Sequence, residues 1–212
     1  MDTHNWYVNI DDKGRTVLNL IRVGADVFRK AKLIQELDEF AHACALVNSG
    51  RDNDYQTRML PFVDEYLVDS VRVCLFFENY MKARLIERRR IVHEVKDTLP
   101  DLRKAQKKRP ISFDELVSVA PFTDAGGMNV IHTGLKQMTV GAKTLFEQKD
   151  YRDMIDIPAH FYPTLMTMTK DRNRLRFMNY RELGHNEKFI KALGEMKTFV
   201  ESAVRRVRVA YG

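Results

Sequence analysis

Residues 16–48, TVLNLIRVGADVFRKAKLIQELDEFAHACALVN, place Leu20, Gly24, Val27, Ala31, Ile34, Leu37, Ala41 and Cys44 at steps of three and four, with Ser49-Gly50 as the stop. Side chains three and four apart share one face of a helix, so the spacing predicts one long amphipathic helix from about Thr16 to Asn48. A polar loop, Arg51 to Asp54, follows. Beyond it Val63, Leu67, Val71, Cys74, Phe77, Met81, Leu85, Val92 and Val95 repeat the pattern up to Pro100. Two long helices joined by a short loop pack antiparallel, and residues 15–98 therefore read as a helical hairpin.

Residues 99–138 read as an irregular basic and loop segment. Within it Ser112-Phe113-Asp114-Glu115 has the spacing of a capping box and predicts a short helix ending before Pro121, while Asp124-Ala125-Gly126-Gly127 predicts a loop. Residues 139–212 carry the C-terminal helices: one over about Thr139 to Gln148, and one with Pro158 in its first turn and Leu165, Met168 and Leu175 along it. The pattern breaks near Gly184. Asn186 then caps a long last helix whose stripe is Phe189, Leu193, Met196, Val200, Ala203 and Val207. The expectation is a single all-α domain over residues 1–212, a helical bundle with a long N-terminal antiparallel hairpin and a long C-terminal helix.

The 212 residues are 44% apolar and 30% charged with 10 Gly and 6 Pro, which excludes disordered, collagen-like and low-complexity chains. Two cysteines, Cys44 and Cys74, make neither a disulfide framework nor an all-cysteine zinc site, and both fall on apolar stripes; they predict core packing in a reducing, cytoplasmic setting. No apolar run approaches the roughly 20 residues of a membrane span, and Met1 to Asp12 lacks the pattern of a signal peptide, so neither membrane nor export is expected. Gly126-Gly127 lacks the spacing of a phosphate-binding loop and no cofactor is expected; Met138, Met154, Met166, Met168, Met178 and Met196 read as core filler. Glu39-x-x-His42 and Glu182-x-x-His185 have the spacing of di-metal bundles, with Glu78 as a further inward carboxylate. A glycine inside the second copy and the position of the first argue against a metal site.

Charge is concentrated. Residues 81–109 hold eleven basic against four acidic side chains, an excess larger than the +6 of the whole chain. Lys170, Arg172, Arg174, Arg176 and Arg181 form a second cluster, and Arg205, Arg206 and Arg208 lie near the end. Clustered Lys and Arg suit a polyphosphate, because each contact neutralises a phosphate and releases counterions. The same residues also suit a solvated helix face with pairs such as Arg90 and Glu94.

Arg88-Arg89-Arg90-Ile91-Val92-His93 has an Arg-x4-His spacing, and Lys170-Asp171-Arg172-Asn173-Arg174-Leu175-Arg176-Phe177 has an arginine followed by asparagine. These stretches, with the helical pattern, resemble the HEPN superfamily, all-α domains with an Arg-x(4–6)-His motif. The resemblance implies RNA as ligand, a homodimer that pairs two motifs, and metal-independent endoribonuclease activity in a defence or toxin–antitoxin system. On the matching positions it implies catalytic roles for Arg88, Arg89 and His93. Phe177 stands where the second stretch would carry histidine, so that stretch implies binding without cleavage. The expected nucleic-acid-binding residues are Arg172, Asn173, Arg174, Arg176, Lys104, Lys107, Lys108 and Arg109.

Such chemistry needs a group titrating near neutrality to move the proton of a 2′-hydroxyl, which histidine supplies, and an arginine to neutralise the phosphorane. On an uninterrupted helix Arg89 and His93 share a face, whereas Arg88 and His93 diverge by about 140°. A helical protein-interaction scaffold is the alternative of a different class, and a ferritin-like di-metal protein a more distant one.

Overall fold

The structure, a computed structural model, describes residues 7–8, 13–49, 52–120, 122–124, 130–174 and 187–212. The fold is all-α with two small antiparallel sheets. Among the described residues no helix is long and apolar enough to cross a membrane.

The N-terminal arm is helical but broken. In place of one helix over residues 16–48 stand α1 (Lys13–Phe28), α2 (Lys32–Gln35) and α3 (Leu37–Asn48). Ala31 is extended, with φ −71° and ψ 122°, and Glu36, with φ −112° and ψ 44°, makes a second break. The amphipathic period survives both breaks, because Ala31, Leu33, Ile34, Phe40, Ala43 and Cys44 are buried. Periodicity reports the face and not the continuity of the backbone.

The second arm is α4 (Asp52–Glu87). Phe28 meets Phe76 at 5.8 Å between ring centroids, Leu33 meets Asp69, and Phe40 meets Phe62 at 5.2 Å. The rising numbers on one arm match falling numbers on the other, as an antiparallel hairpin requires. Val71, expected on the buried stripe, is exposed, and Val63 and Leu67 are half-buried. Phe62, Tyr66 and Val73 are buried instead, the larger rings removing more apolar area from water than valine does, while Cys74, Phe77, Met81 and Leu85 are buried as expected.

The hairpin was expected to reach residue 98, yet α4 stops at Glu87. Arg90 N–H bonds to the Leu85 carbonyl at 2.8 Å and Arg89 N–H to that of Ile86 at 2.9 Å, with Arg89 at φ 54°. This is a Schellman termination with arginine at the left-handed position where glycine is usual. The outgoing chain pairs elsewhere: Ile91 N–H donates to the Ile111 carbonyl at 2.9 Å and Phe113 N–H to that of Arg89 at 3.0 Å.

The described residues fall into two compact units, one from residues 1–21, 78–157 and 207–212, the other from 22–77 and 158–206. In the first unit, β1 (Tyr7–Val8), β3 (Phe122–Asp124) and β4 (Val130–His132) form a sheet of order β1-β4-β3, and β2 (His93–Val95) pairs with β5 (Leu135–Thr139). Strands and the helices α5 (Pro100–Gln106) and α6 (Phe113–Val119) thus occupy what was read as an irregular segment. The loop expected over 124–127 has Asp124 at the end of β3, and its remaining positions lie outside the described residues. Ser112 caps α6 in the anticipated reciprocal box with Glu115. Ile91, Val95, Leu116, Ala120 and Leu135 form a small core under Leu99, Leu102 and Phe113. The helix expected over 139–148 is α7 (Ala142–Glu147), followed by α8 (Lys149–Arg152).

In the second unit α9 (Phe161–Arg174) starts just after Pro158, whose carbonyl accepts the Phe161 N–H at 3.0 Å. Phe28, Phe76, Phe77, Phe161 and Phe199 pack ring against ring at 5.1–6.4 Å. The last helix is α10 (Glu187–Tyr211), and all six residues of its expected stripe are buried. Cys44 and Cys74 are not joined in a disulfide and lie buried in the core, where Met168 and Met196 are buried as well; Met138 is exposed on the two-stranded sheet. Asn186, Gly184, Leu175 and Met178 lie outside the described residues.

Candidate nucleic-acid interface

The turn that ends α4 sets the geometry of the first basic segment. Arg88 and Arg89 leave the helix exposed, and His93 sits on β2. The helical face that Arg89 and His93 were expected to share does not form, because the Schellman turn and the pairing with residues 111–113 redirect the chain between them. Arg89 reaches Asp114 at 3.4 Å and lies 5.9 Å from the centre of the Phe113 ring. His93 instead faces β5. Burial pushes its imidazole below the ordinary histidine range, hydrogen bonding with the backbone at Gln137 and Lys136 works the other way, and Lys82 adds to the lowering. The two expected catalytic groups are thus engaged by different elements.

Gln106, buried on α5, clamps β2: its amide nitrogen donates to the His93 carbonyl at 2.7 Å and its oxygen accepts the Val95 N–H at 2.8 Å. The clamp spans the point where the β2–β5 register shifts, so a side chain supplies pairing on the strand's other edge. Tyr151 O–H donates to the Gln106 carbonyl at 2.7 Å and holds α5 in turn. Below β5, the almost buried Lys82 ammonium bonds Glu78 at 2.7 Å and Thr139 at 2.8 Å, so Glu78 is the partner of a cation. No pattern in the sequence singled out Gln106, Lys82 or Thr139, since their roles depend on strands that the helical period concealed.

Among the basic residues near α5, several are committed. Arg103 pairs with Asp97, which also takes Lys136 at 3.1 Å, and Arg109 donates to Glu115 at 2.6 Å. Lys104, Lys107 and Lys108 are exposed and have no ion pair among the described residues. Lys107 also lines a small polar cleft of about 140 Å3 with Glu94, Arg103, Gln106, Val140 and Thr144.

No protein-family model, no curated protein and no solved structure matches the chain.

The second basic cluster lies in the other unit. Arg172 is half-buried on α9, and its neighbour Asp171 accepts the Tyr66 hydroxyl at 2.9 Å, a contact that ties α9 to α4. Asn173 and Arg174 close α9, while Arg176, Arg181, Glu182 and His185 lie outside the described residues. Glu39 and His42 are exposed on α3 and do not face a bundle interior. Groups of three or more metal-ligating side chains are absent among the described residues.

Proposed function

We propose that this protein is a HEPN-like module that binds RNA without cutting it, with the exposed turn at the end of α5 as the phosphate contact. The observation that carries the reading is the trio Lys104, Lys107 and Lys108, exposed while the adjacent Arg103 and Arg109 are held by carboxylates. Cleavage at Arg88, Arg89 and His93 needs guanidinium and imidazole at one phosphodiester. The engagement of Arg89 by Asp114 and of His93 by β5 favours the binding role over the cleaving one. A cytoplasmic location and a homodimer belong to the same reading.

The test is fluorescence anisotropy with a mixed-sequence single-stranded RNA across a salt series. Affinity should fall as salt rises, and replacing the three lysines by glutamine should flatten the log–log slope by roughly two, at about 0.7 for each phosphate that is no longer neutralised. An unchanged slope overturns the assignment to α5. The RNA should also stay intact in EDTA; products with 2′,3′-cyclic phosphate ends, abolished by His93→Ala, would replace this reading by that of a ribonuclease.

One observation favours a second reading, a helical interaction scaffold. Leu60, Val68 and Val71 are exposed together on one face of α4. Association through that face would be nearly insensitive to salt, the opposite of the RNA signature.

A further inference from the structure

Two helix stripes in the second unit leave a groove of about 540 Å3. One stripe is His160, Pro163, Thr164 and Thr167, at and beyond the start of α9; the other is Lys188, Phe189, Lys191, Ala192 and Glu195 on α10. Both have the three-and-four spacing of a single helix face, and both extend over eight residues, seven steps or roughly 10 Å at 1.5 Å per residue. The groove is therefore elongated, and its volume is that of a small-molecule site.

Its lining is apolar and buried on one side and cationic at the edge. Phe189, Ala192 and Thr164 are only 7%, 2% and 4% exposed. The Thr167 hydroxyl already donates to the Pro163 carbonyl at 3.0 Å, so it does not need a ligand to satisfy it. Glu195 is shared, hydrogen-bonded with His160 Nε2 at 2.5 Å and lying 3.9 Å from the Lys191 ammonium. Lys188 is exposed and has no ion pair among the described residues. One acidic group thus answers two of three basic ones, and a single cation is left at the rim of an apolar trough.

We propose that this groove binds an amphipathic monocarboxylate of the fatty-acid class, its acyl chain along Phe189 and Ala192 and its carboxylate on Lys188. Charge complementarity selects a monoanion, since a more highly charged ligand would meet Glu195 with only one unshared lysine to offset it. The length and the apolar lining select a chain over a hydrogen-bonding polar ligand. This site is independent of the RNA-binding surface on α5.

Calorimetric titration of the full chain with octanoate, and with octanol as its uncharged counterpart, tests the proposal. Octanoate should bind saturably at one equivalent, about 1.5-fold to fivefold more tightly than octanol, the range expected for one exposed ion pair. Lys188→Gln should bring octanoate to the octanol affinity and leave octanol unchanged. Thr167→Trp, which fills the groove, should weaken both ligands at least about tenfold. Circular dichroism reports the fold of each variant, and the exposed Lys188 variant keeps the test decisive should the tryptophan variant fail to fold. Absence of saturable octanoate binding through the millimolar range, equal affinity for the two ligands, or octanoate binding that Lys188→Gln leaves unchanged would overturn the proposal.

Discussion

The Asp69 carboxylate accepts the backbone N–H of Leu33 at 2.8 Å, so α4 supplies the cap that α2 does not carry itself. Asp69 is fully buried and also takes the Arg72 guanidinium at 2.9 Å. Removing it by Asp69→Ala leaves a buried N–H and a cation without their acceptor, and the expected loss is about 2–4 kcal/mol in denaturant unfolding. Asp69→Asn keeps an oxygen acceptor and should lose clearly less. Equal losses in the two variants would mean that the cap is not what holds the break.

Two carboxylates should give stability opposite dependences on pH. Burial pushes the Asp69 carboxyl above its ordinary range, outweighing the Leu33 N–H and Arg72, so folding binds its proton more tightly. The wild type should therefore gain stability relative to Asp69→Asn as pH falls through the raised folded value, with the gain complete below the unfolded value of about 3.9. Glu115 behaves the other way. Its hydrogen bond with Arg109 leads, with those of Ser112, in lowering it to about 2, and its stabilisation, present above 4.5, should disappear as pH falls from there to about 2. Melting curves of wild type, Asp69→Asn and Glu115→Gln over that window check both signs.

Arg89 occupies the left-handed region at φ 54°, which costs an L-residue about 1 kcal/mol that glycine does not incur. Its ion pair with Asp114 is exposed and long, so it returns little. Arg89→Gly should raise stability by about 0.5–1 kcal/mol, whereas Arg88→Gly should lower it. A destabilising Arg89→Gly would show that its contacts with Phe113 and Asp114 outweigh the backbone.

Gly14, in the first turn of α1, lies under the Tyr211 ring: an added Cβ would stand 2.7 Å from the ring. Tyr211 O–H also donates to Glu87 at 3.0 Å. In an open helix Gly→Ala stabilises by roughly 0.5–1 kcal/mol. Here Gly14→Ala should instead be neutral or destabilising, and should become stabilising once Tyr211→Ala has removed the ring. Thermal unfolding of the two single variants and the double variant reads this coupling.

The stripes that announced the helices were legible because burial of one face imposes a period on the sequence. Phe189, Leu193, Met196, Val200, Ala203 and Val207 needed no tertiary information, and all are buried on α10. Ser112 and Glu115 were equally readable, since a capping box is closed by residues three apart. The break at Ala31 was not, because its capping acceptor comes from Asp69, thirty-six positions from the N–H of Leu33. Nor was the end of α4. Val92 and Val95 continue the helical spacing, yet no glycine or proline stands at the turn, and the backbone partners of Arg89 and Ile91 lie at residues 113 and 111, respectively.

By itself, then, the sequence determined the helical class, the antiparallel arms, the last helix and the local excess of positive charge, all consequences of interactions within a few residues of one another. Tertiary structure alone decided where the arms break, that His93 lies on a strand clamped by Gln106, and which basic side chains are committed to Asp97 and Glu115 and which are left to solvent. Backbone hydrogen bonds and ion pairs between distant positions place no periodic mark on a sequence, and here they engage Arg89 and His93 with different elements.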